Sequence, residues 1–145
     1  LSWEACNLAA NKEPLYVGTI LGKITELADT TQTIVFQGDS AEATRLDTLA
    51  VATDDTADKD LILFFSDGTL TKQAAMVKIP LNSGNTNAIV AVDILAASVL
   101  SGHVLTDANG KKFLNLPPGW SVKAQAAAAP SSGKKMWITA KGGKY

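Results

Sequence analysis

Apolar and polar residues alternate along much of this chain, and the alternation is clearest in its last third. Residues 120–128 and 135–141 both place apolar side chains at every second position. Such alternation is typical of β-strands that bury one face. An Ala-Pro-Ser-Ser-Gly loop at 129–133 separates the two segments. We therefore predict that they form a terminal β-hairpin.

Shorter apolar runs between turn residues predict further strands upstream. They lie at residues 15–25, 33–37, 44–53, 61–65, 75–81 and 113–116. Residues 91–99 differ, because their apolar side chains recur with helical spacing, and we predict a short helix there. About eight short strands with one inserted helix indicate a mainly β fold, an antiparallel sandwich of the jelly-roll kind. The 145 residues fit a single domain over 1–145.

Charge is distributed unevenly, although the net charge is only −1. All fourteen acidic residues lie at or before Asp107, whereas residues 110–145 carry seven lysines and no carboxylate. Two interpretations remain open: the lysines are scattered and solvated, or they form a surface that docks on an acidic partner or a neighbouring copy.

The residue types that build catalytic centres are scarce. His103 is the only histidine and Cys6 the only cysteine, and no Gly-x-Ser-x-Gly elbow is present. Four aspartates between Asp54 and Asp60 lack the spacing and the distal glutamate of an EF-hand. We therefore expect no enzyme activity, no cofactor and no metal, with His103 as an ordinary loop residue and Cys6 as a small, partly buried one.

Nucleic acid and membranes are also poor candidates for partners. The basic tail contains Trp120, Trp137 and Tyr145, which could stack on bases, but it contains no arginine. No apolar run approaches the roughly 20 residues of a membrane span. The start, Leu1-Ser2-Trp3-Glu4, lacks the basic region of a signal peptide, so we expect synthesis in the cytoplasm.

Two features favour a protein partner. The run 61–65, Leu-Ile-Leu-Phe-Phe, is apolar on both faces, so either the inserted helix or another subunit covers its outer face. Trp137 falls on the lysine-bearing face of the last strand, where it either lies against its own neighbours or anchors an interface. The candidate interface residues are Trp137, Lys134, Lys135, Lys141, Phe65 and Leu63.

The order of segments between residues 44 and 143 resembles a known group of proteins. The run 44–55 leads into an apolar strand and a Ser-Asp-Gly-Thr turn, followed by Val77-Lys78-Ile79-Pro80 and by 91–95. Asp-Ala-Asn-Gly at 107–110, the segment 114–119 and Ala140-Lys141-Gly142-Gly143 complete the order. It is similar to small virion proteins of tailed bacteriophages, and most of all to jelly-roll cement or decoration proteins.

This resemblance implies a function that needs no active site. A cement protein binds the outer surface of the capsid shell, bridges capsomers and stabilises the shell against internal DNA pressure. The implied partners are the major capsid protein and further copies of the chain, as a dimer or trimer. Two alternatives stay open: another virion part, such as a head-fibre base or tail component, and a carbohydrate-binding sandwich in which Trp3, Trp120 or Trp137 stacks on a sugar.

Overall fold

A computed structural model describes residues 19–144 as two antiparallel β-sheets packed face to face. The strands in this part of the chain are β1 (Ile20–Leu27), β2 (Thr33–Gln37), β3 (Thr44–Thr53), β4 (Lys59–Ser66), β5 (Thr71–Ile79), β6 (Val92–Asp93), β7 (Leu105–Thr106), β8 (Lys112–Leu116), β9 (Ser121–Ala126) and β10 (Met136–Lys144). The predicted strand at 15–25 is described only from its fifth residue onward. Cys6 and Trp3 lie outside the described residues.

The strand order identifies the architecture. Sheet A runs β1-β10-β3-β8, extended by the short β7, with β6 paired to β3. Sheet B runs β2-β9-β4-β5. Without the two-residue strands, β4 and β5 are consecutive neighbours in sheet B, and every other connection crosses between the sheets. This strand order corresponds to two interlocked Greek keys, which is the jelly-roll arrangement. The predicted fold class is therefore confirmed.

The core lies between the sheets and follows from the alternation in the sequence. Side chains at every second position of β3, β4, β9 and β10 point inward and are almost fully buried. The largest of them include Leu46, Leu49, Leu61, Leu63, Met136 and Ile138, and Phe36 of β2 is buried with them. The strand predicted at 44–53 matches β3 residue for residue.

The predicted terminal hairpin is wrong. Strand β9 lies in sheet B between β2 and β4, whereas β10 lies in sheet A between β1 and β3. Both segments are strands, but the loop between them crosses from one sheet to the other. Alternation identifies a strand and its buried face, yet it carries no information about which neighbour the strand pairs with.

The predicted helix at 91–99 is also wrong. Strand β6 is followed by two 3₁₀ turns, Ile94–Ala96 and Ser98–Leu100, which are separated by Ala97 in an extended conformation. Asp93 makes no side-chain capping hydrogen bond. Ile94, Leu95 and Leu100 are buried in the core. Their spacing therefore reflects consecutive tight turns that each bury an apolar side chain, and not the face of an α-helix.

A bulge in the last strand requires glycine. The register between β10 and β3 shifts between Lys141 and Gly142. A Cβ atom at Gly142 would overlap the backbone carbonyl of Arg45 on the neighbouring strand. Glycine at this position therefore allows the two backbones to approach closely.

Candidate interaction surfaces

The outer face of sheet A exposes large apolar side chains. Ile20 and Ile24 on the edge strand β1 are 74% and 73% exposed. The register places Ile24 beside Thr139 and Gly22 beside Lys141 of β10. Directly paired residues share one face of a sheet. We call the surface formed by Ile20, Ile24, Trp137, Thr139 and Lys141 face A.

Trp137 lies on face A, half-buried, and is held by a carboxylate of β1. Its indole Nε1–H donates a hydrogen bond to Glu26 Oε1 at 3.2 Å, and Lys135 Nζ forms an ion pair with the same oxygen at 3.1 Å. The indole is therefore fixed in position before any partner arrives. Such preorganisation lowers the entropic cost of binding.

The other candidate lysines, Lys141 and Lys134, are close to Trp137 in the sequence but make different contacts. Lys141 is exposed and, with Gly22, Ile24 and Thr139, lines a shallow depression in face A. Lys134 belongs to the loop before β10, where its backbone N–H donates to the Ser131 carbonyl oxygen. The structure therefore brings Trp137, Lys135 and Lys141 together on one sheet, with Lys134 at its end.

The two candidate residues on β4 differ in their exposure. Leu63 is 1% exposed, so its side chain is in the core and not available to a partner, which corrects its assignment to an outer surface. Phe65 is half-buried, packs against the core and lies edge-on to His103, with ring centroids 5.1 Å apart. The alternation along β4 turns both side chains to the inner side of the strand, where Phe65 near its end stays partly exposed.

The outward residues of the same apolar run form a second surface. Ile62 pairs with Met76 and Gln125, and Phe64 pairs with Lys123, which in turn pairs with Ile34. We call the surface formed by Ile34, Ile62, Phe64 and Met76 face B. The predicted covering helix does not exist, and no other strand of the described residues lies over face B.

The uneven charge along the sequence is partly balanced within the fold. Because β10 lies beside β1 and close to the β2–β3 turn, Lys135 reaches Glu26, and Lys144 Nζ reaches Asp39 Oδ1 at 3.3 Å. Asp39 also accepts hydrogen bonds from two backbone N–H groups of its turn, which, with Lys144, hold the pKa of its carboxyl below the ordinary value.

A buried arginine ties the β7–β8 hairpin to β3. Arg45 forms ion pairs with Asp47 at 2.6 Å and Asp107 at 3.1 Å, and its guanidinium lies 3.9 Å from the centre of the Phe113 ring. Hydrogen bonds from the backbone N–H of Lys111 and Asn109 and from Arg45 lower the pKa of Asp107. Burial raises the pKa of Asp47. Arg45 and both aspartates thus have partners of opposite charge, as buried charges need in order to be stable in the folded protein.

The aspartate-rich turn after β3 is occupied by structural contacts. Asp54 Oδ1 accepts the backbone N–H of Lys135, and Asp58 pairs with Lys78 at 3.2 Å. Asp55 is buried and accepts hydrogen bonds from Ser131 and Ala57. Within residues 19–144, no group of three histidine, cysteine or acidic side chains could hold a metal ion. No helix in the same range is long and apolar enough to cross a membrane.

One end of the sandwich opens into a cleft that the sequence did not predict. Its volume is about 520 Å³, and it is lined by Phe65, Asp67, Leu70, Lys72, Gln73, Ala74, His103 and Trp120. A smaller recess of about 130 Å³ continues from it toward β8. The lining comes from three separate parts of the chain, the β4–β5 hairpin, His103 and Trp120, so local sequence patterns could not predict the cleft.

Comparison with known proteins does not assign this chain to a family. No family model matches the chain, and no curated protein matches it in sequence. Among solved structures, a pentameric capsid protein isolated from metagenomic phage sequences is similar, with a TM-score of 0.42 and 13% sequence identity. The match covers 99% of this chain and 75% of that one. A likeness at this level assigns no function.

Proposed function

We propose that this chain is a structural virion protein that binds the outer surface of a tailed-phage capsid shell and stabilises it by bridging capsomers. The proposal rests on the resemblance of residues 44–143 to phage cement proteins and on the jelly-roll order, a fold common among viral capsid domains. Because one fold serves many functions, further support for this particular function has to come from the surface of the protein. The observation that carries it is the pair of exposed isoleucines on face A.

The isoleucines favour a protein partner on energetic grounds. Ile20 and Ile24 project from the same face of the edge strand β1, with Gly22 between them, and each is about three-quarters exposed. Ile24 pairs with Thr139 and so lies near Trp137, whereas Ile20 pairs with Gly143 at the other end of β10. Contiguous exposed apolar side chains with a polar rim mark interaction sites. Burying each isoleucine fully would contribute about 1.5–3 kcal/mol. Face A thus has the composition of an interface core, in which tryptophan is enriched.

The charge around face A favours an acidic partner surface. Glu26 is paired with Lys135, and two further exposed lysines, Lys23 and Lys141, line the depression. Rim lysines of this kind steer a partner toward the surface and affect the association rate more than the final affinity. Carboxylates on the major capsid protein would supply the complement.

Face B fits a second copy of the chain. Face B carries side chains of both signs: Asp60 and Lys78 lie at one end, and Lys123 lies between Phe64 and Ile34. A symmetric contact places the same patch on both partners, so a patch with both signs can complement itself. Homo-oligomers formed through face B would leave face A free for the shell.

The number of copies per particle tests the proposal. The measurement is quantitative mass spectrometry of purified virions, with the major capsid protein as the internal standard. A shell-stabilising protein will be present at on the order of hundreds of copies, because it covers a repeating surface. A handful of copies would indicate a tail or fibre component, and complete absence from virions would refute a structural role.

A further inference from the structure

The cleft lies at the opposite end of the sandwich from Trp137 of face A. Trp120 directly precedes β9 at the end where β10 terminates, because the N–H of Gly38 donates to the Trp120 carbonyl at 2.9 Å and the neighbouring Asp39 pairs with Lys144. Trp137 lies at the opposite end of β10, paired with Ala52. A ligand in the cleft would therefore leave Trp137 accessible.

Three rings form the walls of the cleft, and two of them are held in place. Trp120 is positioned by a turn in which its N–H donates to the Pro117 carbonyl and Gly119 has a φ of 82°, a value that favours glycine. Phe65 packs against the core, and the His103 ring meets it edge-on at 76°. The walls are thus rigid, apolar and aromatic.

The rim of the cleft is polar and balanced in charge. Asp67 and Lys72 contribute one charge of each sign, and Gln73 contributes a neutral amide. Asp67 stays ionised at neutral pH, because backbone hydrogen bonds from Leu70 and Thr69 lower its pKa. Carboxylate, ammonium and amide groups together can accept and donate several hydrogen bonds within one small region.

We propose that this cleft binds a neutral sugar, with one pyranose ring stacked on Trp120 and its hydroxyl groups bonded to Asp67, Lys72 and Gln73. A pyranose presents an apolar face of C–H groups and an equatorial belt of hydroxyls that both donate and accept. Aromatic walls with a few converging polar groups match this pattern, and about 520 Å³ lies within the range of small-ligand sites.

The balance of charge distinguishes a neutral sugar from other occupants. An anionic sugar would meet the Asp67 carboxylate, and a cationic ligand would meet the Lys72 ammonium. A purely apolar segment would leave the polar rim without partners, which costs free energy when the groups are buried. Hydroxyl groups can donate hydrogen bonds to the Asp67 carboxylate and accept them from the Lys72 ammonium.

The test is a titration of the full chain with defined sugars. The probes are the methyl glycosides of glucose, galactose, mannose and N-acetylglucosamine, with glucuronic acid as the charged comparison. The indole N–H resonances of the tryptophans are followed by NMR and assigned with tryptophan variants. At least one neutral glycoside will shift the Trp120 resonance saturably and leave the Trp137 resonance unchanged.

Matched variants separate binding from folding. Trp120→Ala will weaken binding about tenfold or more, as the loss of one aromatic contact implies, whereas Trp137→Ala will bind as the unchanged chain does. Because Trp120 also packs on the core, Lys72→Ala and Gln73→Ala serve as exposed substitutions that keep the fold. Each will weaken binding several-fold with an unchanged thermal melt.

Three results would overturn the proposal. These are no saturable shift with any neutral glycoside, tighter binding of glucuronic acid, and an unchanged affinity in the rim variants. A Trp120 shift that depends on protein concentration without any sugar would assign the cleft to a second copy instead.

Discussion

Asp55 accepts two hydrogen bonds from Ser131, one from the backbone N–H and one from the hydroxyl, each at 2.8 Å. The two residues belong to loops that leave different sheets, one after β3 in sheet A and one after β9 in sheet B. Their contact therefore ties the sheets together at the end of the sandwich where Trp137 lies, and it helps to hold the crossing loop before β10.

Replacing Asp55 should destabilise the domain. Asp55→Asn exchanges an acceptor oxygen for a donor amide that faces the Ser131 donors, and hydrogen bonds to charged groups contribute about 1.5–3 kcal/mol. We expect the free energy of unfolding to fall by about 2–3 kcal/mol in chemical denaturation. Asp60→Asn, an exposed substitution on the following strand, is the control and should change it by less than about 0.5 kcal/mol. Equal stability of the two variants would contradict this role for Asp55.

The domain should lose stability in acid. Burial raises the pKa of Asp55, but hydrogen bonds from Ser131 and Ala57 outweigh it, and the net pKa lies below the ordinary value. Asp29, Asp39, Asp58, Asp67 and Asp107 are lowered as well. The unfolded chain then binds more protons, so the stabilisation is present above the ordinary pKa near 3.8 and is lost as the pH falls below it.

The measurement is the melting temperature between about pH 6 and about pH 3. We expect little change above about pH 5 and a decrease as the pH falls toward about 3, with a smaller decrease for Asp55→Asn than for the unchanged chain. Asp47, whose pKa burial raises, contributes in the opposite direction. A melting temperature that rises toward low pH would contradict the hydrogen-bond assignments.

One buried hydroxyl offers a stabilising substitution. Thr25 is 6% exposed, and among the described residues its Oγ1 is the buried side-chain polar atom without a hydrogen-bond partner. Thr25→Val keeps the branched shape and removes the unsatisfied group. We expect the unfolding free energy to rise by about 1 kcal/mol, since an unpaired buried polar group costs about 1–3 kcal/mol. A loss of stability would show that the hydroxyl has a partner in solution.

Trp137 should affect association more than folding. Its indole is half-buried on the outer face of sheet A and is bonded to Glu26, so Trp137→Ala leaves the core intact. We expect shell binding to weaken by about 2 kcal/mol or more, with little change in the melting temperature. A stability loss of about 3–5 kcal/mol would instead assign the side chain to the core.

Sequence patterns predicted the sheets better than the surfaces. Alternation located β3 and the buried faces of β9 and β10, because burial on one face imposes a period of two. It failed at 91–99, where two 3₁₀ turns imitate helical spacing, and it could not assign β9 and β10 to different sheets. Trp137 was placed on the outer face by the same alternation.

The cleft could not be predicted because its walls meet only through tertiary structure. The turn at 66–69 was recognised from its sequence, but nothing local shows that it lies at the same end of the sandwich as Trp120. The position of Phe65 depends on the inward side of β4, which a run apolar on both faces leaves undefined. Its contact with His103 joins residues that are distant in the chain.

Binding of the purified chain to undecorated shells tests the central claim most directly. The comparison is between the unchanged chain, Ile24→Asp on face A, and Val99→Asp, a similarly exposed apolar residue in the second 3₁₀ turn. We predict that Ile24→Asp weakens binding at least about tenfold, or about 1.4 kcal/mol, because a carboxylate would enter an apolar contact. Val99→Asp should bind like the unchanged chain. Equal binding by all three proteins, or no binding by any of them, would contradict attachment through face A.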